Sequence, residues 1–145
     1  MKYEEYLALC NKIEKQNNEY LQLFKQQLEQ EQLSKKTIEL HYFNVKFYLN
    51  EFLLRYQPLT MDQGCREAHA FFTYFFVSKC AWASIANIKK YKTSLKKFYK
   101  CMLDNKLLPQ EEYDYLCYIF KECQHEFEEA YYNRYTYLEN YDELN

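Results

Sequence analysis

The chain has 145 residues, one glycine, two prolines and a formal net charge of −2, which leaves too few turn-forming residues for a sheet protein with tight hairpins. Its 48% hydrophobic and 20% aromatic residues exclude disorder over most of the length, and no apolar run is long enough to span a membrane. The first residues carry two glutamates and do not fit a signal peptide, so we expect a cytosolic protein that forms one all-α domain over residues 1–145.

Apolar residues recur at three- and four-residue steps along the chain, which is the spacing of amphipathic helices. The first two apolar stripes cover residues 3–13 and 20–28, and Asn17-Asn18 between them predicts a break or kink. Ser34 has the residue type and position of an N-cap and should open the next helix.

The middle of the chain is its most apolar part. Pro58 should end the second helix, with Tyr56 as the last residue of its apolar face. Thr60 and Gln63 form a capping-box pattern for a third helix at about 61–79. Its run of aromatic residues predicts that this helix is the buried centre of a bundle.

Two stretches complete the predicted helices. Ser84 should cap a helix that runs to about Asn105, and Pro109 should open a last helix whose apolar stripe reaches Leu138 and Tyr141. We therefore predict a single bundle of five or six helices. The residues expected to share one core are Phe71, Phe75, Ile88, Leu95 and Phe98.

The six cysteines predict neither a disulfide scaffold nor a metal site. No two of them form a C-x-x-C pair, and the spacing of Cys117, Cys123 and His125 matches no zinc module. Buried thiols in a reducing compartment are the favoured interpretation. The other histidines, His41 and His69, are interpreted as ordinary helix residues, and no cofactor is predicted.

Charge is segregated along the chain. Residues 79–106 contain eight lysines and a single acid, Asp104, whereas residues 107–145 contain two basic and ten acidic side chains. Segregation of this kind predicts either an anionic partner on one face or two halves that attract each other.

The basic residues of the helix after Ser84 occupy the arc opposite its apolar face on a helical wheel. Surface faces usually interleave Glu with Lys, because like charges one turn apart destabilise a helix, and this arc has no such interleaving. A plain solvated face is the alternative, but we favour a face that contacts phosphates rather than bases. The predicted DNA-binding residues on this element are Ser84, Lys89, Lys90, Thr93, Lys96, Lys97 and Lys100.

A second, smaller basic cluster opens the helix after Ser34. It comprises Lys35, Lys36 and Thr37, followed by Asn44 and Lys46. The free N–H groups of a helix N-terminus beside lysines suit a phosphate. Simple capping explains the same residues equally well.

Two stretches resemble a known family. The first is Phe24-x3-Leu28-x4-Leu33-Ser34-x2-Thr37-Ile38-x3-Tyr42, followed by Phe52-Leu53. The second is Ser84-Ile85-x9-Leu95-x2-Phe98-Tyr99-x3-Leu103-x3-Leu107. In this order and at these separations they resemble the N-terminal core-binding domain of tyrosine recombinases (phage integrases), over residues 17–109.

The resemblance implies a small SAM-like helical bundle that forms half of a clamp around DNA. In that family the second and fourth helices face the DNA, and here those are the helices that begin at Ser34 and Ser84. The family's chemistry belongs to a separate catalytic domain with a tyrosine nucleophile and an arginine–histidine cluster. Past the matched region, residues 110–145 are expected to form an acidic helical extension. This extension contains one arginine, Arg134, and one histidine, His125, so we expect no enzymatic activity.

Two functions follow as hypotheses. The first is a non-catalytic protein, associated with a phage or mobile element, that binds the backbone of double-stranded DNA. The second is a helical protein-interaction module that has lost DNA binding, and that forms a homodimer or binds a recombinase through the acidic C-terminal helix. The sequence pI near 6.0 favours the second, whereas the local basic face favours the first because distant acids are screened at physiological salt.

Overall fold

The computed structural model describes the backbone of residues 1–144 and the side chains of residues 1–134. Within those limits the protein is all-helical, as predicted, with six helices and no strand. The helices are α1 (Tyr3–Gln30), α2 (Lys35–Lys46, extended by a π-helical turn at Phe47–Phe52), a composite α3 (Met61–Glu67, Ala68–Ala70, Phe71–Phe75 and Phe76–Lys79), α4 (Ile85–Asp104), α5 (Gln110–Glu122) and α6 (Gln124–Leu144). No helix among the described residues has the length and apolarity needed to cross a membrane.

α1 is one continuous helix, so the predicted break at Asn17-Asn18 is wrong. Asn17 is buried, and its Nδ2 donates to Asn50 Oδ1 at 2.8 Å, in the turn that extends α2. Because the Nδ2 group has a partner on the neighbouring helix, α1 can bury this side chain without breaking, although the Asn17 Oδ1 has no hydrogen-bond partner among the described residues. The apolar face of α2 is also shorter than predicted, since its helical turns end at Phe52 and Tyr56 is exposed.

α3 is the buried centre of the bundle, as predicted. It starts at a capping box in which the Thr60 backbone N–H donates to Gln63 Oε1 at 2.9 Å. It is less regular than predicted, because 3₁₀ and π turns replace most of the α-helix, and Tyr74 is exposed.

Aromatic rings on α3 connect the two halves of the bundle. The Phe71 ring packs on Tyr48 at 5.0 Å and on Tyr91 at 5.7 Å, between α2 and α4. The adjacent Phe72 ring packs on Phe120 at 5.8 Å and on Phe127 at 5.0 Å, on α5 and α6. One core therefore includes all six helices, and it contains the five residues predicted for it.

The only glycine in the sequence, Gly64, lies where two buried tyrosines meet α3. Tyr48 Oη donates to the Gly64 carbonyl at 2.6 Å, and Tyr99 Oη donates to the Met61 carbonyl at 2.8 Å. A Cβ at Gly64 would overlap the Tyr99 hydroxyl and touch Leu53. Burial raises the pKa of both tyrosines well above the usual value, so both hydroxyls stay neutral donors.

The predicted last helix is two helices, α5 and α6, separated at Cys123. The break allows Phe120 and Phe127 to pack on the same ring, Phe72, from two directions. No glycine or proline marks the break, so it follows from tertiary packing rather than from a local signal. The predicted apolar positions Leu138 and Tyr141 lie outside the described side chains.

Candidate nucleic-acid interface

Uncharged groups of α4 form its N-terminal cap and its hydrogen bond to α3. The helix starts at Ser84, whose Oγ accepts the Asn87 backbone N–H at 3.0 Å, as predicted from the sequence. Tyr99 attaches the far end of α4 to the start of α3 through its bond to the Met61 carbonyl. The hydroxyl of Ser84 therefore serves the helix terminus, and a role in binding DNA stays a prediction.

α2 and α4 pack side by side in opposite directions. Glu31, which precedes α2, lies 3.5 Å from Lys97, whereas Phe47 at the other end of α2 contacts the ring of Tyr91 at 6.3 Å. The start of α2, with the predicted phosphate-binding residues Lys35 and Lys36, is therefore near the Lys97 end of α4.

A buried polar cluster joins these two helices. Ser94 Oγ lies 2.7 Å from His41 Nδ1 and accepts from Asn44 Nδ2 at 3.1 Å. Burial, followed by repulsion from Lys97, lowers the pKa of His41, and Glu31 partly opposes the shift. The ring is therefore held neutral, and the Ser94 hydroxyl proton is available to its Nδ1.

The outer face of α4 carries most of the residues predicted to bind DNA. We call it the lysine surface, and its members are Lys89, Lys90, Thr93, Lys96, Lys97 and Lys100. All are exposed except Lys97, which is half-buried. Lys97 pairs with Glu31 at 3.5 Å and Lys100 with Asp104 at 3.1 Å, whereas Lys89, Lys90 and Lys96 form no ion pair with any described side chain.

A cleft of about 640 Å³ between α4 and the α5–α6 pair extends the lysine surface. We call it the basic cleft. Its lining residues are Lys89, Lys92, Thr93, Lys96, Cys117, Phe120, Lys121 and Gln124, and none of them is acidic. Four ammonium groups around one concave surface raise the local positive potential, because low-dielectric walls focus the field.

Sequence reasoning missed two lysines of the basic cleft. Lys92 lies at the edge of the wheel arc and is partly buried, with its Nζ donating to the Phe120 carbonyl at 2.8 Å and to Gln124 Oε1. Burial lowers the pKa of Lys92, Glu128 opposes this, and the neighbouring lysines add to the lowering. Lys121 belongs to the acidic segment by sequence, and only the packing of α5 on α4 places it in the cleft.

The second cleft beside α4 has mixed charge. It has a volume of about 460 Å³ and is formed by α1, α4 and α5. It includes both carboxylates that pair with the lysine surface, Glu31 and Asp104, and the ring of Tyr113, whose centroid is 5.8 Å from Lys100 Nζ. These acids make the α1 side of α4 less suitable for an anion than the basic cleft.

The start of α2 has the geometry of an ordinary cap. Ser34 Oγ accepts the Thr37 backbone N–H at 3.2 Å and donates to Thr37 Oγ1 at 2.9 Å, so the predicted site residue Thr37 already has a partner. Lys35 and Lys36 are exposed. Farther along α2, Leu40 and Phe43 are 38% and 56% exposed, so the outward face of α2 is more apolar than that of α4.

Two acids of the acidic segment contact α3, and Glu128 lies beside Gln124 at the basic cleft. Glu112 on α5 accepts from Arg66 Nε at 3.0 Å, and the guanidinium lies 4.0 Å from the ring centroid of Tyr115. Glu126 on α6 pairs with His69 at 2.5 Å. No ion pair among the described side chains joins residues 107–134 to the lysine surface, and the side chains of Glu139, Asp142 and Glu143 lie outside the described residues.

One group among the described side chains has the composition of a metal site. His69, Cys123 and Glu126 place their ligand atoms within 4.8 Å of one another. Of the three residues singled out by spacing in the sequence, Cys123 belongs to this group, whereas Cys117 and His125 do not. No local pattern could have indicated it, because His69 and Glu126 are 57 positions apart in the sequence.

No protein-family model, curated protein or solved structure matches this chain. The resemblance of residues 17–109 to recombinase core-binding domains therefore rests on the sequence motifs.

Proposed function

We propose that this protein is a non-catalytic binder of double-stranded DNA, built on a SAM-like bundle that resembles the core-binding domain of tyrosine recombinases. The lysine surface and the basic cleft would contact the phosphate backbone. The observation that carries the proposal is the set Lys89, Lys90 and Lys96, which is exposed, unpaired among the described side chains, and adjacent to a cleft lined by no acid.

The length of the lysine surface suits a duplex. Lys89 and Lys100 are eleven residues apart on one helix, which is about 16 Å at the rise of an α-helix. A DNA duplex carries roughly one negative charge per 1.7 Å of its axis, so several phosphates lie within reach of this surface. Lysine ammonium groups act as flexible point charges and suit phosphates without requiring a fixed base geometry.

The arginines support backbone contact over base recognition. The sequence has three, and each is engaged away from the lysine surface. Arg66 pairs with Glu112, Arg134 donates to the Val77 carbonyl, and Arg55 lies 5.8 Å from the ring centroid of Phe75. Bidentate arginine contacts to guanine are the commonest specific readout in the major groove, and α4 has no arginine to make them.

The test is the affinity for two labelled duplexes of unrelated sequence at low salt, measured by fluorescence anisotropy. Changing Lys89, Lys90 and Lys96 together to Gln should weaken binding to both duplexes alike, by roughly tenfold or more. The side chains stay long and polar, so the fold should be retained, and circular dichroism checks this directly.

The matched control changes three exposed lysines at the start of the chain, Lys2, Lys12 and Lys15, to Gln. Both variants lose the same net charge, so a non-specific charge effect would weaken them equally. Equal affinities of the two variants, or no binding by the unmodified protein at low salt, would contradict the proposal.

One observation favours the second function, a protein-interaction module. Leu40 and Phe43 are exposed on the outward face of α2, and Trp82 is exposed beside the end of α2, where its ring packs on Phe47. Exposed aromatic and aliphatic side chains on one face are typical of interfaces. If light scattering shows a dimer that Phe43→Ser dissociates, while neither duplex is bound, the interaction module replaces DNA binding as the function.

A further inference from the structure

Three side chains with different ligand atoms meet where α5 ends and α6 begins. His69 comes from α3, Cys123 is the residue at the break, and Glu126 is in the first turn of α6. Their imidazole nitrogen, thiol sulfur and carboxylate oxygen lie within 4.8 Å of one another. The closest pair is His69 Nε2 and Glu126 Oε2, at 2.5 Å.

The fold fixes this arrangement through the core beneath it. Phe127 is fully buried, packs on Phe72 and lies 6.0 Å from the His69 ring, so the start of α6 is held against α3. The Cys123 carbonyl accepts the Phe127 backbone N–H at 3.0 Å, so Cys123 precedes the first turn of α6 and its thiol lies near the Glu126 carboxylate in that turn. The site therefore depends on the break at Cys123, which is itself a consequence of packing.

We propose that His69, Cys123 and Glu126 bind a zinc ion. Nitrogen, sulfur and oxygen ligands together suit Zn²⁺, whereas Mg²⁺ and Ca²⁺ prefer oxygen ligands alone. Three protein ligands leave one tetrahedral position for water. The proposal is independent of DNA binding, because none of the three residues belongs to the lysine surface or the basic cleft.

The distances require small movements of side chains that have room to move. Two ligands at about 2.0–2.1 Å from a tetrahedral ion are roughly 3.3 Å apart, so the His69–Glu126 contact must open by about 0.8 Å. The two side chains are 41% and 54% exposed, and neither is locked in the core. A bound ion would link α3 to the junction of α5 and α6, and would stabilise the folded state by mass action.

Titration of the full chain with Co²⁺, as a spectroscopic substitute for Zn²⁺, tests the proposal. One equivalent should produce thiolate-to-cobalt charge-transfer absorption in the near ultraviolet, and Zn²⁺ should abolish that absorption by displacing cobalt. Cys123→Ser should remove the charge-transfer absorption. His69→Gln and Glu126→Gln should each raise the cobalt Kd by at least about tenfold, since even the loss of an outer-shell partner has that effect.

The chain provides matched controls for both residue types. Cys117→Ser removes a thiol of comparable exposure on α5, and His125→Gln removes a neighbouring histidine that is 81% exposed and pairs with Glu129. Both variants should bind cobalt like the unmodified protein. Zn²⁺ should also raise the melting temperature of these controls, but not that of Cys123→Ser.

Three results would overturn the zinc site. The first is the absence of charge-transfer absorption at one equivalent of cobalt. The second is the same absorption in Cys123→Ser as in the unmodified protein. The third is an equal rise in melting temperature with Zn²⁺ in His69→Gln, which would leave His69 and Glu126 as an ion pair only. Circular dichroism of each variant verifies that the bundle is folded before metal is added.

Discussion

α4 and the α5–α6 pair carry opposite charges and use them differently. α4 is attached to the bundle by the uncharged Tyr99 hydroxyl and Ser94 cluster, and by Lys92, which donates to the Phe120 carbonyl, while Lys89, Lys90 and Lys96 are exposed and unpaired among the described side chains. α5 adds an ion pair to its packing on α3, between Glu112 and Arg66, and α6 adds a contact of 2.5 Å between Glu126 and the His69 imidazole.

The contrast shows that the net charge of a segment does not decide its role. From the sequence alone, the acidic segment is equally able to cover the lysine surface or to repel DNA. In the structure three of its seven described acids, Glu112, Glu126 and Glu129, contact Arg66, His69 and His125, and its Lys121 joins the basic cleft. The surface available to a partner depends on which charges have partners within the fold, and tertiary packing decides that.

The largest expected effect comes from breaking the uncharged attachment of α4. Gly64→Ala places a methyl group against the Tyr99 hydroxyl and Leu53, so we expect a loss of about 2–3 kcal/mol in the free energy of unfolding. Urea denaturation followed by circular dichroism measures it.

The second variant, Tyr99→Phe, removes the hydroxyl that the new methyl group would meet. Combined with Gly64→Ala it should give a smaller loss than the sum of the two single losses, because the overlap is relieved. Additive losses would show that the close approach of Tyr99 is not what requires glycine at this position.

A smaller effect concerns pH and the attachment of α4 to α2. Because the pKa of His41 is lowered in the folded state, the unfolded chain binds the proton more readily. As the pH falls below about 6.5, the pKa of His41 in the unfolded chain, protonation of His41 should lower the free energy of unfolding. This loss should stop once the pH is below the lowered pKa of His41 in the folded state.

The measurement compares the unmodified protein with His41→Asn, which keeps an amide near the position of Nδ1, at about pH 7.5 and about pH 5. Other titrating groups are shared by the two proteins and cancel in the difference. The unmodified protein should lose more stability than the variant between these pH values. An equal loss, or a larger loss in the variant, contradicts the neutral His41 in the buried cluster.

The smallest expected effect comes from removing the ion pair that joins α5 to α3. Glu112→Gln removes the ion pair with Arg66, in which the Arg66 side chain is 48% and the Glu112 side chain 22% exposed, so the urea midpoint should fall slightly at low salt and by less at about 1 M salt, where the pair is screened. DNA affinity should stay unchanged, because Glu112 is not part of the lysine surface. A marked gain in affinity would show that the acids of α5 do suppress DNA binding.

Local signals in the sequence were enough for the helix starts and for the outward face of α4. Ser34 and Ser84 cap helices through bonds to backbone groups three residues on, and such chemistry is readable from neighbouring residues. The 3.6-residue period likewise predicts that Lys89 and Lys96 face away from Leu95.

The features that sequence reasoning missed depend on distant residues. Asn17 stays inside α1 because Asn50 meets it, and the chain breaks at Cys123 where the core packing of α5 and α6 requires it. Lys121 joins the basic cleft through the packing of α5 on α4. The group around His69 likewise unites residues from separate helices, and no spacing rule connects them.

The most direct test of DNA binding through the lysine surface is the salt dependence of affinity. Log K falls linearly with log salt, and each lysine that no longer neutralises a phosphate should make that slope less negative by roughly 0.9. Changing Lys89, Lys90 and Lys96 to Gln should therefore make the slope less negative by roughly 2.7 relative to the unmodified protein. The control variant at Lys2, Lys12 and Lys15 should keep the full slope. Equal slopes for the unmodified protein and the α4 variant would contradict the account.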